Sequence, residues 1–383
     1  MFRPASFLSL HDFEPAAKKR LPRQLYGYLR HGAEDGMAIE ANRQAFAGIH
    51  LCPKVLTDVS NRSSSISLLG QTYSAPFGLA PVGLAAMWCY RADKVLAQAA
   101  QEHNVPAIMS GASLVPMEEV AQAAPQTWFQ AYLPAEQERI QALLTRVRNA
   151  GFSTLVLTVD LPVSPNPEAY ARHGFSAPLK PSLRMAWDGL SHPSWLMSTF
   201  LKTLFRHGMP HFENWRAERG APIISARVER DTQGRDKVSW PHVALARRLW
   251  QGPLIIKGIL RPDDALLAAK TGCDGIIVSN HGGRQIDGAV SGLDMLPEIV
   301  AAVPNLPVML DGGIRRGTDI LKALSLGARC VFVGRPMHYA ATVGQRAGVE
   351  HAIQILKTEL HRNTALLGLN HPQEIDQNFV RSH

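Results

Sequence analysis

Eight short apolar runs, each followed by a helical pattern or a long connection, predict that this 383-residue chain is an α/β protein, a closed (β/α)8 TIM barrel. Two further observations carry that expectation. The runs are rich in Val, Ile and Leu without strict alternation, as in parallel strands covered on both faces. Polar residues then gather at their C-terminal ends: Ser110, Gln130, Tyr132, Thr158, Asp160, Lys257, Ser279, His281 and Asp311. Barrel active sites are built at that end.

In chain order, residues 1–75 read as an N-terminal helical segment, with Asp12 placed to cap the first helix and a break near Gly32. Residues 76–340 read as the barrel. Its strands are expected at 77–81, 107–110, 127–132, 154–160, 254–258, 275–279, 308–311 and 330–334. Helices are expected between them at 94–102, 117–123, 136–149, 262–270, 293–303 and 317–326. Residues 341–383 read as a C-terminal helical segment, so the whole chain is expected to form a single domain.

One connection is too long for a simple crossover. Residues 161–245 separate the fourth and fifth strands. They hold Trp187, Trp195, Phe200, Phe205 and Trp215 beside Arg172, Lys180, Arg184, Lys202, Arg206, Arg216 and Arg219. Three readings stay open: a lid over the active site, a basic-aromatic face for a membrane surface centred on 176–219, or a surface insertion packed by its own aromatics.

Composition narrows the class. The net charge of +8 favours an anionic substrate or cofactor, a membrane surface or simply a basic exterior. No zinc finger, RNA-binding signature or long basic run points to nucleic acid. The cysteines Cys52, Cys89, Cys273 and Cys330 are scattered, so no disulfide framework or metal site is expected. No secretory leader and no apolar run of about 18 residues is seen. The expected location is the cytoplasm, with peripheral contact at the inner face of the cell membrane left open.

Three stretches carry chemistry. Ser279-Asn280-His281-Gly282-Gly283-Arg284-Gln285 sets a base and a permanent cation three residues apart at a strand end, with glycines that let the backbone turn. Asp311-Gly312-Gly313-Ile314-Arg315 and Gly334-Arg335-Pro336 follow the last two strands, where barrels commonly hold a phosphate. Backbone amides, a helix N-terminus and arginines suit such an anion. No G-x-G-x-x-G follows the first strand, and no P-loop is present.

With Glu40-Ala41-Asn42-Arg43, Thr158-Val159-Asp160 and Ile256-Lys257-Gly258 added, the sequence resembles the FMN-dependent α-hydroxy acid dehydrogenase/oxidase family. That family includes glycolate oxidase, L-lactate dehydrogenase and mandelate dehydrogenase. The resemblance implies FMN as cofactor, a 2-hydroxy acid as substrate and a homo-oligomer, often a tetramer. It implies that His281 is the base, that Arg284 and Tyr28 hold the substrate carboxylate, and that Tyr132 lies near the substrate hydroxyl. Asp160 would pair with the protonated histidine, and Lys257 would lie beside the flavin N1 and O2 edge. Pro81, Val82, Gly83, Ser110, Gln130, Thr158 and Ser279 match flavin contacts and Asp311 a ribityl contact. Gly313, Arg315, Gly334 and Arg335 match the phosphate end.

Three departures stand out. Counting from Thr158, Pro167 occupies the position of the family's second substrate arginine, and Arg172 is a candidate substitute. Ala112 replaces a bulky aromatic of glycolate-type members, which implies a wider pocket. Gly83 stands where many oxidases carry alanine, which favours a dehydrogenase passing electrons to quinone or a redox protein rather than to O2. The expected activity is therefore oxidation of an (S)-2-hydroxy acid to a 2-oxo acid. The alternatives are oxidation of an atypical larger substrate in a biosynthetic pathway, and a barrel that binds a phosphate ligand without redox turnover.

Overall fold

A computed structural model describes residues 3–382 except 167, 177 and 228–233. The eight expected strands form one parallel sheet: β1 (Phe77–Leu79), β2 (Ile108–Ser110), β3 (Trp128–Ala131), β4 (Leu155–Thr158), β5 (Leu254–Ile259), β6 (Gly275–Val278), β7 (Val308–Asp311) and β8 (Cys330–Val333). Neighbours pair in sequence order, β8 pairs β1, and a parallel bridge between Leu79 and Ala107 closes the ring.

Strand alternation sorts the side chains. Ile108, Trp128, Val156, Ile255, Ile277, Met309 and Phe332 fill the barrel interior. Their neighbours, such as Leu155, Leu254, Ile256 and Ile276, belong to the layer that includes the surrounding helices. Both faces are buried, which explains the unbroken apolar runs.

The N-terminal segment is only partly helical. Helices α1 (Phe13–Arg20), α2 (Arg23–Arg30) and α3 (Met37–Ala47) break across Gly32 as expected. Beyond them, Ile66–Leu68 and Gln71–Tyr73 form a hairpin turning at Gly70, with φ +77°. Ile66, Leu68 and Tyr73 join the interior cluster, and Trp128 Nε1 donates to the Tyr73 hydroxyl at 3.2 Å. The expectation of helix over 1–75 is therefore corrected here, since strands of three residues are too short to show a period in the sequence. Asp12 does not cap α1 through its side chain; its carboxylate accepts from the Leu8 and Ser9 amides, both at 2.8 Å.

The C-terminal segment begins within the helix Arg335–Leu366, bent at Gln345, and ends in the strand Val380–Ser382. That strand pairs antiparallel with Ile49–Leu51, tying the two terminal regions together. The insertion after β4 holds the short helices Glu168–Arg172, Leu183–Leu190 and Lys202–His207 before Trp240–Leu249 returns the chain to β5.

Candidate active site

The turn after β6 is set by its own residues. His281, Gly282 and Gly283 all take positive φ, at 58°, 64° and 75°. A Cβ on Gly283 would lie 2.6 Å from the Ile39 nitrogen, so glycine is required where the turn meets α3. Asn280 holds the turn: its Oδ1 accepts from the Gly283 amide at 3.1 Å and from Asn42 Nδ2 at 2.8 Å, while its Nδ2 donates to Asn42 Oδ1 at 3.0 Å. The sequence assigns Asn42 and Asn280 no role, because a contact 238 positions apart leaves no local signal.

This turn aims His281 and Arg284 into one cavity. His281 Nδ1 meets Asp160 Oδ1 at 2.8 Å, across the strand ends of β4 and β6. That bond leaves Nε2 as the ring nitrogen available to a ligand. Burial would raise the Asp160 carboxyl, but the imidazole of His281 and the ammonium of Lys257 overcome it and hold it below its ordinary value. Lys257 is buried; its Nζ lies 2.9 Å from Ser279 Oγ and 3.2 Å from Asp311 Oδ2. Burial would lower its ammonium, yet Asp311 and Asp160 keep it above the ordinary lysine value.

Arg284 spends Nη1 on the carbonyls of Tyr28 (3.0 Å) and His31 (3.2 Å). Its guanidinium carbon lies 4.6 Å from the Tyr28 ring centre and 5.2 Å from that of Tyr170. Burial pushes the Tyr28 hydroxyl up, against the pull of Arg284, and burial does the same at Tyr132. Both phenols therefore keep their protons at neutral pH and remain donors.

Tyr28, Tyr132, Lys257, His281, Arg284, Pro81, Val82, Gly83, Asp311, Gly313, Arg315, Gly334 and Arg335 share the walls of one cavity of about 720 Å³. Ser110, Gln130, Thr158 and Ser279 are buried at the strand ends. Ser110 Oγ donates to Gln130 Oε1 at 3.2 Å, and Ser279 Oγ accepts from the His281 amide at 2.9 Å. Arg335 departs from a simple phosphate clamp. It donates to the carbonyls of Leu29 (3.1 Å), Gly282 (2.8 Å) and His31 (3.3 Å), and so links α2 to the His281 turn.

The departures resolve unequally. Pro167 lies outside the described residues. Arg172 does not replace the missing arginine: it is 72% exposed and pairs with Glu168 one helical turn away. Ala112 lines the cavity, as its small size implies. A Cβ on Gly83 would come within 2.8 Å of the Ala112 Cβ, so packing alone accounts for this glycine. The insertion also divides. Trp195 is buried, donating to the Met87 carbonyl at 2.8 Å, and Trp215 faces the cavity, whereas Trp187 and Phe205 are exposed.

The comparisons with known proteins agree with this geometry. Residues 17–382 match the model of the family described as FMN-dependent dehydrogenase. The chain belongs to that family. It is 35% identical over 365 residues to (S)-mandelate dehydrogenase of Pseudomonas putida, covering 95% of this chain and 91% of that protein. It is 37% identical to L-lactate oxidase of a Nostoc species, over 98% of each. A crystal structure of monotopic membrane protein (S)-mandelate dehydrogenase superposes with a TM-score of 0.90 at 33% identity, covering 98% of this chain and 100% of that one.

As a member of the FMN-dependent dehydrogenase family, the chain is a flavin oxidoreductase, and the reading of a barrel without redox turnover gives way. The residues present fit FMN. Gln130 Nε2, Thr158 Oγ1 and Asp311 Oδ1 are buried without a hydrogen-bond partner among the described residues. Arg315 and Arg335 have no carboxylate partner among the described residues. Burial, together with Arg284 and Arg315 nearby, pushes Arg335 down to about 10. Cations crowded without a counter-ion suit a phosphate.

Proposed function

We propose that the protein oxidises an (S)-2-hydroxy acid to its 2-oxo acid, with His281 as the base. The observation that carries this reading is the His281–Asp160 bond of 2.8 Å in the cavity that also holds Arg284. Arg284 binds the substrate carboxylate, and the Tyr28 hydroxyl adds a donor beside it. His281 Nε2 takes a proton from the substrate, and Asp160 steadies the cation that results. Tyr132 donates towards the substrate hydroxyl.

FMN, when bound, accepts the two electrons. Lys257 would supply positive charge beside the isoalloxazine, with Pro81, Val82, Gly83, Ser110, Gln130, Thr158 and Ser279 around it. Asp311 would meet the ribityl chain, and Gly313, Arg315, Gly334 and Arg335 the phosphate end. Ala112 on the cavity wall favours a side chain larger than that of lactate.

The electron acceptor in this reading is a quinone or a redox protein, met at a membrane surface. Leu183 (91% exposed), Trp187 (75%) and Phe205 (82%) form its apolar contact, flanked by Arg184 and Arg206. Among the described residues no helix is long and apolar enough to cross a membrane, so the contact is peripheral. A homotetramer belongs to the same reading.

Anaerobic mixing of the yellow holoprotein with a panel of (S)-2-hydroxy acids tests the activity. At least one acid bleaches the flavin absorbance, with larger side chains ahead of lactate. If no acid does so, large aromatic ones included, the proposal fails.

A further inference from the structure

The loop after β4 carries Pro167 where the family has an arginine, yet beyond Lys257, Arg284, Arg315 and Arg335 the cavity is also lined by Lys180 and Arg235. Arg235 reaches it from the far end of the insertion, just beyond a turn at Gly234 with φ +86°. Its guanidinium carbon lies 4.6 Å from the Tyr132 ring centre and 5.3 Å from that of Trp215. Trp215 in turn stacks on Phe212, with centres 3.9 Å apart and planes at 12°. Two rings therefore hold the side chain in place.

Two other arginines of the insertion have their own acids: Arg219 pairs with Glu213 at 2.9 Å, and Arg172 pairs with Glu168. Among the described residues no carboxylate pairs with Arg235. A half-buried guanidinium flanked by aromatic faces recovers part of its lost hydration from the rings, but it remains half of an ion pair.

Arg235 and Arg284 rest on different rings, the first on Tyr132 and Trp215, the second on Tyr28 and Tyr170. Both line one cavity of about 720 Å³. Arg235 also borders a neighbouring cavity of about 360 Å³, with Tyr132 and Leu161 common to both. A small monocarboxylate held by Arg284 would leave Arg235 facing water.

We infer that Arg235 is a specificity-determining cation that selects 2-hydroxy acids bearing a second anionic group, with the α-carboxylate on Arg284 and the remote carboxylate on Arg235. This rests on the reading of the cavity as a hydroxy acid site.

The test compares matched pairs on the holoprotein: 2-hydroxyglutarate against 2-hydroxyhexanoate, and 4-carboxymandelate against mandelate. Flavin reduction and the dissociation constant of each corresponding 2-oxo acid, read from the flavin spectrum, are both measured. The dianion of at least one pair is preferred tenfold or more. Arg235→Met collapses that ratio towards unity, Arg235→Lys retains part of it, and a normal flavin content shows that each variant is folded. If monoanions bleach the flavin with no dianion preference, or if Arg235→Met lowers both members of a pair equally, the assignment of Arg235 is wrong while the hydroxy acid reading stands. If no acid of either series bleaches the flavin, both fall.

Discussion

The strand ends of β6 and β4, one on each side of β5, meet in the His281–Asp160 bond and are built in opposite ways. At β6, seven consecutive residues supply the proposed base, the proposed carboxylate-binding cation, the turn and its brace. Three successive positive φ angles and the Asn42–Asn280 pair leave the turn little freedom. At β4, the strand end supplies only Asp160, and the chain then enters a long insertion. The second cation arrives from Arg235, 75 positions beyond Asp160, held by aromatic rings rather than by a turn. The contrast separates two tasks. Proton transfer needs atoms held to a fraction of an ångström, which a short constrained turn provides. Substrate choice needs charge of the right sign on the right wall, which a remote segment can supply.

Breaking the β6 side is expected to have the largest effect. His281→Gln keeps FMN bound, so the protein stays yellow, but slows anaerobic flavin reduction roughly 10³-fold, within the range for loss of a general base. Stopped-flow absorbance measures this, and reduction at the normal rate would remove His281 from its role.

Asp160→Asn reaches across the comparison and is expected to cost less, roughly 10²-fold in flavin reduction, because the base remains but its cation loses a partner. A stability effect accompanies it. The Asp160 carboxyl is held below its ordinary value in the folded protein. A depressed carboxyl stabilises the fold above the unfolded pKa of about 3.9, and loses that contribution as pH falls through the folded value. Urea titrations should therefore find the variant less stable at neutral pH and the difference shrinking below roughly pH 4. A difference that persists unchanged into acid would show that packing, not charge, is responsible.

The exposed apolar face of the insertion should matter least to the chemistry. Replacing Leu183, Trp187 and Phe205 together by Ser is expected to leave flavin reduction by substrate within about twofold, since exposed positions rarely perturb a distant site. Flotation with anionic lipid vesicles should nevertheless fall by tenfold or more, because each buried apolar side chain is worth roughly 1.5–3 kcal/mol. Unchanged flotation would return this face to the reading of a plain surface insertion.

The barrel was legible because parallel strands buried on both faces leave contiguous apolar runs, and crossover helices space them regularly. The hairpin at 66–73 was missed because strands of three residues carry too few positions to declare a period. The site residues from Tyr28 to Arg335 gather around one cavity because each lies at a strand end or on the helices packed there. Arg172 and Arg235 show the limit of such reading. Both are arginines in an insertion without a regular pattern, and distance along the chain favoured Arg172. The structure turns Arg172 to solvent beside Glu168 and seats Arg235 on Tyr132.

By itself the sequence determined the closed barrel, the His281–Arg284 turn and the family, because all three rest on periodicity or on contiguous residues whose backbone preferences are local. Only the tertiary structure decided which arginine of the insertion shares the cavity with His281 and which aromatics line it. Those outcomes depend on how residues 161–245 fold back over the strand ends. They are settled by ring-to-guanidinium contacts and burial between distant segments, for which the order of residues carries no period.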